Sequence, residues 1–184
     1  MTFNRQNNIY VEQCMSQCLP EFAHINHYWD KQRESVVAKI LPGEFYMTKQ
    51  NVAIATTLGS CISACIWDNR IGIGGMNHFM LPAQNEHSSE QWGSNAVSSA
   101  SRYGNWAMEF LINEILKAGG KRDNLEVKIF GGGQVLNNMT DIGQRNVAFV
   151  KYYLAKEGLA ISAMDAGGLY PRKVLYFPDT GAVK

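Results

Sequence analysis

The segment TTLGSCISACIWDNRIGIGGMNHFMLP, residues 56–82, carries most of the signals that decide the fold and the chemistry of this chain. Two apolar runs, CISACIW and IGIGGMNHFML, lie on either side of the polar triplet DNR. Short apolar runs separated by a turn signal predict two paired β-strands. The first run begins with Cys61, directly after Gly59 and Ser60, and the second contains His78. The pattern therefore predicts a β-hairpin that carries a thiol and an imidazole.

The register of this hairpin determines whether the two side chains meet. A symmetric turn across Asn69-Arg70 places Cys61 directly opposite His78, with Cβ atoms about 5 Å apart. A bulge at Gly74-Gly75 would shift the pairing by one residue. With the symmetric register, an imidazolium lies beside the thiol and lowers a thiol pKa that is ordinarily near 8.5.

The residues before the cysteine support a nucleophile. Gly59 and Ser60 allow a tight turn and can direct N–H groups at an oxyanion. Thr57 lies four residues before Cys61, so on a continuous strand its hydroxyl shares the face of the thiol, whereas Thr56 points the other way. The opposing interpretation is that Cys61 is a small buried hydrophobe and His78 a core histidine, and spacing alone leaves both open.

A second cysteine on the same run raises a redox alternative. Cys65 shares a face with Cys61, but its neighbours are apolar, which favours packing. A disulfide between them is a third hypothesis, disfavoured because C-x3-C on one strand gives poor disulfide geometry.

Composition excludes several classes of protein. Apolar residues make up 46% of the 184 positions and charged residues 18%, with a formal charge of +1, as in a globular protein with no electrostatic preference for nucleic acid. No apolar stretch approaches a membrane span, and the first residues lack the features of a signal peptide. We therefore expect a cytoplasmic protein without membrane insertion, and four reduced cysteines.

The composition of the chain changes near residue 40, which predicts two parts. Residues 1–40 are polar and read as an N-terminal extension, partly helical or flexible, and residues 41–184 as a single domain. Alternating apolar residues predict short strands from Val36 onward, and LEVKIF, AISAMDAGG and KVLYF predict further strands. NWAMEFLINEILKAGG and DIGQRNVAFVKYYLAKEGL predict helices, the second with Asp141 as N-cap and Gly158 as stop. Strands with two separated helices predict an α/β sandwich with a mixed sheet.

Two further motifs resemble ligand sites. The segment CMSQCLPEFAHINH holds zinc-ligand residue types at Cys14, Cys18, His24 and His27, but the gap between the pairs is much shorter than in a zinc finger, and an extension is favoured. The segment IFGGGQVL lacks the Walker lysine, so it predicts a tight turn near the active site rather than a nucleotide site.

Arginines and a long polar loop complete the candidates. Arg102, Arg145 and Arg172 are expected to hold buried carboxylates such as Asp165. The loop Gln84–Ser101 either covers the active site, binds a substrate helix, or is simply solvated.

Six blocks resemble successive motifs of the CheD family of chemoreceptor glutamine deamidases. They are TTLGSCISACIWD, GIGGMNHFMLP, RYGNWAMEFLINEIL, KIFGGGQVL, IGQRNV and DAGGLYPRKVLYFPDTGAV. The blocks follow in order from about Leu41 to Val183. The combination of G-S-C with G-G-M-x-H-x-M-L-P is the most specific part of the resemblance.

The resemblance implies hydrolysis of glutamine side-chain amides to glutamate on the cytoplasmic helices of methyl-accepting chemoreceptors. By that logic Cys61 forms a thioester, His78 moves the protons, and no metal or organic cofactor is needed. A family threonine before the cysteine is assigned to Thr57 over Thr56 by strand parity. The family fold, an α/β/β/α sandwich shared with toxin deamidase domains, agrees with the coarse pattern. A CheC-type phosphatase is the implied partner, and a module that regulates that phosphatase with little or no catalysis is the alternative function.

Overall fold

The computed structural model describes residues 2–81, 99–135 and 142–184, with the main chain alone at 2–5 and 99–102. Three α-helices occur in these ranges: α1 (Thr2–Ser16), α2 (Ser99–Lys117) and α3 (Ile142–Lys156). Short 3-10 turns lie at Pro20–Phe22 and Arg122–Asn124. The strands are β1 (Asn26–Asp30), β2 (Ser35–Lys39), β3 (Phe45–Thr48), β4 (Val52–Leu58), β5 (Ile62–Asp68), β6 (Ile73–Asn77), β7 (Leu125–Gly131), β8 (Ile161–Ala166), β9 (Arg172–Phe177) and β10 (Ala182–Val183).

The strands form two five-stranded sheets. The first, called sheet A, has the order β1-β2-β4-β9-β10, and the second, sheet B, has the order β3-β6-β5-β7-β8. Each is mixed, because β2 runs parallel to β4 and β7 parallel to β8 while the other pairs are antiparallel. Helices α2 and α3 contact sheet B, and α1 contacts β1 and β2 of sheet A. The predicted α/β sandwich with mixed sheets is confirmed.

Apolar side chains from both sheets form one main core. Ile54 and Leu58 of β4 and Ile62 and Ile66 of β5 are all fully buried in it, together with Leu111 of α2. Burial of each such side chain contributes about 1.5–3 kcal/mol. The core therefore spans the interface between the sheets and continues under α2. No helix in the described ranges is long and apolar enough to cross a membrane.

The N-terminal segment is part of the sandwich from about residue 20. Phe22 and Ile25 are buried in the main core, and β2 lies between β1 and β4. Tyr10 of α1 stacks on Trp29 of β1 with ring centroids 5.5 Å apart. The predicted boundary between an extension at 1–40 and a domain at 41–184 is therefore wrong, because β1 and β2 supply the edge of sheet A. The start of β2 agrees with the strands predicted from Val36 onward, whereas the sequence pattern does not predict β1.

The hairpin turn is longer than predicted. Residues 69–72 form the loop, and Asp68 pairs with Ile73. The Asp68 carboxylate accepts the N–H groups of Arg70 and Ile71 at 2.9 and 3.3 Å, and Gly72 adopts φ +64° to close the turn. An aspartate that bonds the following backbone in this way favours a turn over continuation of the strand. The register is therefore shifted by two residues from the symmetric expectation, which preserves the face of every side chain.

The glycine run after β7 is a point of close approach, not a phosphate loop. Gly131 and Gly132 have φ of +108° and +66°. A Cβ at Gly131 would collide with the carbonyl oxygen of Cys61, and one at Gly132 with the side chain of Val147 on α3. The predicted tight turn is thus present, and it packs the end of β7 directly against residues 59–61, the segment that ends in Cys61.

We expect Gly131→Ala to destabilise the protein far more than the control Gly158→Ala. Both positions have positive φ, which costs alanine about 1–2 kcal/mol, but a Cβ at Gly158 meets no atom within 4 Å. The collision at Gly131 adds about 1–3 kcal/mol more. Denaturant unfolding of both variants measures the difference. Equal losses of stability would contradict the close approach at Gly131.

Candidate active site

Cys61 and His78 lie on one face of sheet B, where the β5–β6 pairing continues beyond the strand ends. Ile62 and Phe79 exchange two backbone hydrogen bonds of 2.9 Å each. In this register Cys61 lies opposite Met80, and His78 is its diagonal neighbour. Diagonal neighbours on an antiparallel pair are about 7–8 Å apart along the backbone and closer at their side chains. The hairpin therefore places Cys61 and His78 on the same face as diagonal neighbours, not directly opposite as predicted, and a direct contact between the thiol and the imidazole stays a prediction.

Thr56 fixes the tautomer of His78. The Thr56 hydroxyl donates to the carbonyl oxygen of Ile40 at 2.9 Å, and its oxygen lies 2.7 Å from His78 Nδ1. A hydroxyl has only one proton, so toward the imidazole it can only accept. His78 therefore carries its proton on Nδ1 and has a free lone pair on Nε2. That Nε2 atom is buried and has no hydrogen-bond partner among the described residues.

The assignment of Thr57 is corrected to Thr56 as the residue that contacts His78. Strand parity assumed one continuous strand from Thr57 to Cys61, but β4 ends at Leu58 and belongs to sheet A, whereas β5 begins at Ile62 in sheet B. The chain changes sheets in between, so parity is lost. Thr57 is exposed and lines a shallow depression with residues of β1, β2 and β9. The side chain of Thr56 is buried and reaches His78 across the sandwich.

Gly59 and Ser60 form the crossing turn, and their carbonyl groups are held. Gly133 N–H donates to the oxygen of Gly59 at 2.8 Å, and Gly132 N–H to that of Cys61 at 2.7 Å. The Asn146 side chain donates to the oxygen of Ser60 at 2.7 Å. The backbone of residues 59–61 is therefore fixed by the glycine run and α3. Whether Gly59 and Ser60 stabilise an oxyanion stays a prediction.

Both titratable groups of the pair favour their neutral forms. Burial raises the pKa of the Cys61 thiol, and its own backbone N–H opposes that rise. Burial lowers the pKa of His78 to about 4, against the smaller opposing effect of the Glu44 carboxylate. The expected lowering of the thiol pKa by an imidazolium is therefore not found in the resting site. Desolvation of the imidazole outweighs the nearby negative charge.

A groove of about 210 Å³ begins beside the nucleophile segment and is lined by uncharged residues. The lining residues are Ser60, Gly132, Gly133, Gln134, Val135, Ile142, Gly143, Gln144, Gly167, Gly168 and Leu169. Five of the eleven lining residues are glycines, so much of the wall is uncharged backbone, and Ser60, Gln134 and Gln144 add uncharged polar side chains. The groove suits a neutral, hydrogen-bonding group such as an amide.

Arg172 holds one wall of this groove. Its guanidinium donates to the carbonyl oxygen of Gly167 and to the Asp165 carboxylate, each at 2.7 Å, and lies 4.8 Å above the ring of Tyr170. The predicted pair of Arg172 with Asp165 is confirmed, but the exposures are reversed. The Arg172 side chain is 8% exposed and that of Asp165 59%. The buried guanidinium of Arg172 therefore holds residues 165–170 in place.

The other cysteines and histidines considered in the sequence do not form a metal or redox site within the described ranges. Cys14 and Cys18 pack against the main core, and His27 Nδ1 lies 2.8 Å from the Ile25 carbonyl oxygen. No group of three or more metal-ligand side chains occurs there. Cys65 is buried, and burial raises the pKa of its thiol. These observations favour packing roles.

Three expectations fall partly or wholly outside the described residues. The loop predicted at 84–101 lies there up to residue 98, and its last residues form the start of α2. The proposed N-cap Asp141 and the side chain of Arg102 also lie outside.

The chain matches a known family in sequence. A family profile described as CheD chemotactic sensory transduction matches residues 80–184. The probable chemoreceptor glutamine deamidase CheD of Halorhodospira halophila is 55% identical over 167 residues, which cover 91% of this chain and 77% of that protein. The protein of the same name from Saccharophagus degradans is 51% identical over 173 residues, covering 92% and 78%. The profile spans more than half of the chain and the relatives nearly all of it, so this chain belongs to the CheD family.

Proposed function

We propose that this protein hydrolyses glutamine side-chain amides of chemoreceptors to glutamate and ammonia, through a thioester on Cys61. The hydrogen-bonded series from Ile40 through Thr56 to His78 is the observation that carries the proposal, because it leaves a free base at Nε2 on the face of the thiol. The name of both relatives, probable chemoreceptor glutamine deamidase, supports the same reaction.

The first half of the reaction acylates the cysteine. His78 Nε2 accepts the thiol proton as the sulfur attacks the carbon of the glutamine amide. Negative charge develops on the amide oxygen, and the N–H of Cys61, which lies beside its own sulfur, is the nearest donor to stabilise it. The imidazolium then gives its proton to the departing nitrogen. Ammonia leaves and the thioester remains.

The second half of the reaction releases the product. Water attacks the thioester carbonyl while Nε2 of His78 accepts a proton from it, and the C–S bond breaks. The thiolate regains its proton from the imidazolium, so the net change is water added and ammonia lost. Thr56 contributes by accepting the Nδ1–H, which orients the ring and stabilises its transient positive charge.

The neutral resting pair makes His78 a general base that acts during attack. A buried imidazole with a pKa near 4 stays unprotonated at neutral pH and is available as an acceptor. Thiol, imidazole and backbone N–H groups supply each step of this scheme. Such a pair keeps the thiol protonated until a substrate amide is in place.

Cytoplasmic helices of chemoreceptors are the proposed substrate, which places the protein in the cytoplasm. A CheC-type phosphatase stays the predicted protein partner. A module that regulates such a phosphatase without catalysis is the competing function, and the first experiment below separates the two.

We expect conversion of specific glutamines to glutamates when a receptor cytoplasmic fragment is incubated with the protein. Peptide mass spectrometry locates the converted residues. Cys61→Ala should abolish conversion because no thioester can form, whereas Cys65→Ala, which removes a buried thiol, should retain it. Absence of conversion by the intact protein would favour the phosphatase-binding module instead.

The contact of Thr56 with His78 makes two adjacent threonines unequal. Thr56→Val preserves shape but leaves His78 Nδ1–H without its acceptor, so we expect kcat to fall about ten- to a hundredfold, part of the 10²–10⁴ that a general base contributes. Thr57→Val should stay within about twofold, because Thr57 faces away from the site. Steady-state kinetics on a glutamine peptide measures both. The reverse order would restore the parity assignment.

The pH profile should report the low pKa of His78. The imidazole is a base only when neutral, and a pKa lowered to about 4 keeps it neutral well below the ordinary value near 6.5. We therefore expect kcat/KM to stay level from pH 7 to about pH 5 and to fall only as the pH approaches 4. Circular dichroism at each pH confirms that the protein is folded. A half-maximal point near pH 6.5 would contradict the buried neutral imidazole.

A further inference from the structure

A buried asparagine bridges the two segments that carry Cys61 and His78. Asn146 lies on α3 and is 0% exposed. Its Nδ2 donates to the carbonyl oxygen of Ser60 at 2.7 Å, and its Oδ1 accepts the N–H of Leu81 at 3.0 Å. Ser60 is the residue before the nucleophile, and Leu81 lies three residues after the histidine. One side chain therefore contacts both segments from outside the hairpin.

The strand register gives this bridge a specific meaning. Ile62 and Phe79 exchange both of their backbone hydrogen bonds. In an antiparallel ladder such pairs alternate, so the next one would be Ser60 with Leu81, joined by Leu81 N–H and the Ser60 carbonyl oxygen. Those are the two groups that the carboxamide of Asn146 contacts. The side chain therefore stands where a direct ladder bond would form, and the two strands are held apart there.

We propose that Asn146 is a positioning residue that wedges the two segments apart at Cys61 and sets the thiol in reach of His78 and of substrate. The proposal rests on the roles of Cys61 and His78 given above. The resulting gap lies at the pair of Cys61 and Met80. On one side of it Ile62 and Phe79 are hydrogen-bonded to each other, and on the other side Asn146 separates Ser60 from Leu81. The gap continues into the groove, since Ser60 lines the groove together with Gly143 and Gln144 of the same helical turn as Asn146.

The carboxamide is the group that fits this position. It needs one donor for the Ser60 carbonyl and one acceptor for the Leu81 N–H, in a volume closed to solvent. Removal of the side chain leaves those two groups free to pair directly, which closes the gap at the thiol. A displacement of about 1 Å at a reacting group can cost a hundredfold in rate.

The first test compares Asn146→Ala with the control Val150→Ala, a truncation of a fully buried residue one turn along α3. We expect kcat to fall about ten- to a hundredfold in Asn146→Ala with KM within about threefold, and Val150→Ala to keep kcat at a similar loss of thermal stability. Alkylation of Cys61 by iodoacetamide, followed on its own peptide by mass spectrometry, should slow several-fold in Asn146→Ala alone. Retained kcat and unchanged alkylation in folded Asn146→Ala would overturn the proposal.

The second test uses Asn146→Asp, which keeps the shape. An ionised carboxylate accepts from Leu81 N–H but opposes the Ser60 carbonyl, whereas the protonated acid restores the donor. Burial raises the pKa of such a carboxyl, so the acid form returns as the pH falls. We expect kcat of Asn146→Asp, relative to the intact protein, to rise at least fivefold from pH 8 to pH 5.5. A flat ratio would overturn the wedge, and the alkylation rate of Cys61 in folded Asn146→Asp, which should recover with the same pH dependence, distinguishes the wedge from a general loss of stability.

The two readouts separate this proposal from the proposed function. Glutamine conversion that survives Cys61→Ala would overturn the cysteine mechanism. The alkylation rate of Cys61 needs no substrate and tests the wedge even then. Conversion that requires Cys61 but is indifferent to every Asn146 variant would retain the function and reject the wedge.

Discussion

The chain passes from one sheet to the other in the three residues between Leu58 and Ile62, and the site depends on that crossing. The end of β4 lies in sheet A with Thr56 facing inward, and β5 begins in sheet B immediately afterward. The crossing lets a hydroxyl of one sheet accept from an imidazole of the other. The same turn leaves Cys61 only half-buried, in contrast to the fully buried Cys65.

So tight a crossing requires neighbours without side chains. The glycine run at 131–133 approaches the cysteine segment so closely that a Cβ at Gly131 would enter the Cys61 carbonyl, and its N–H groups hold the carbonyls of Gly59 and Cys61. Asn146 holds the carbonyl between them. Backbone groups that a β-ladder would normally satisfy are thus satisfied from outside it. The backbone around Cys61 is fixed without a strand partner on that side.

Burial gives the pair its electrostatic character. The sandwich places His78 at 3% exposure beside few charges, so the imidazole is neutral and the thiol protonated at rest. In the proposed mechanism, proton transfer from the thiol to the imidazole then accompanies attack on the amide. The cost of charging His78 is reduced by the Thr56 hydroxyl, whose own proton is committed to the Ile40 carbonyl and whose lone pair faces the ring.

The sequence by itself determined the hairpin, the helices α2 and α3, the pairing of Arg172 with Asp165 and the shared face of Cys61 and His78, because periodicity, turn residues and residue chemistry act locally. A two-residue error in register left that shared face intact, since the side-chain period is two. Only the tertiary structure decided that Thr56 and not Thr57 contacts His78, that β1 and β2 are strands of sheet A, and that Asn146 bridges Ser60 and Leu81. Each of these depends on which sheet a strand joins, and that is set by packing between segments far apart in the chain. Burial, which is also a property of the whole fold, reversed the expected pKa shift of the thiol.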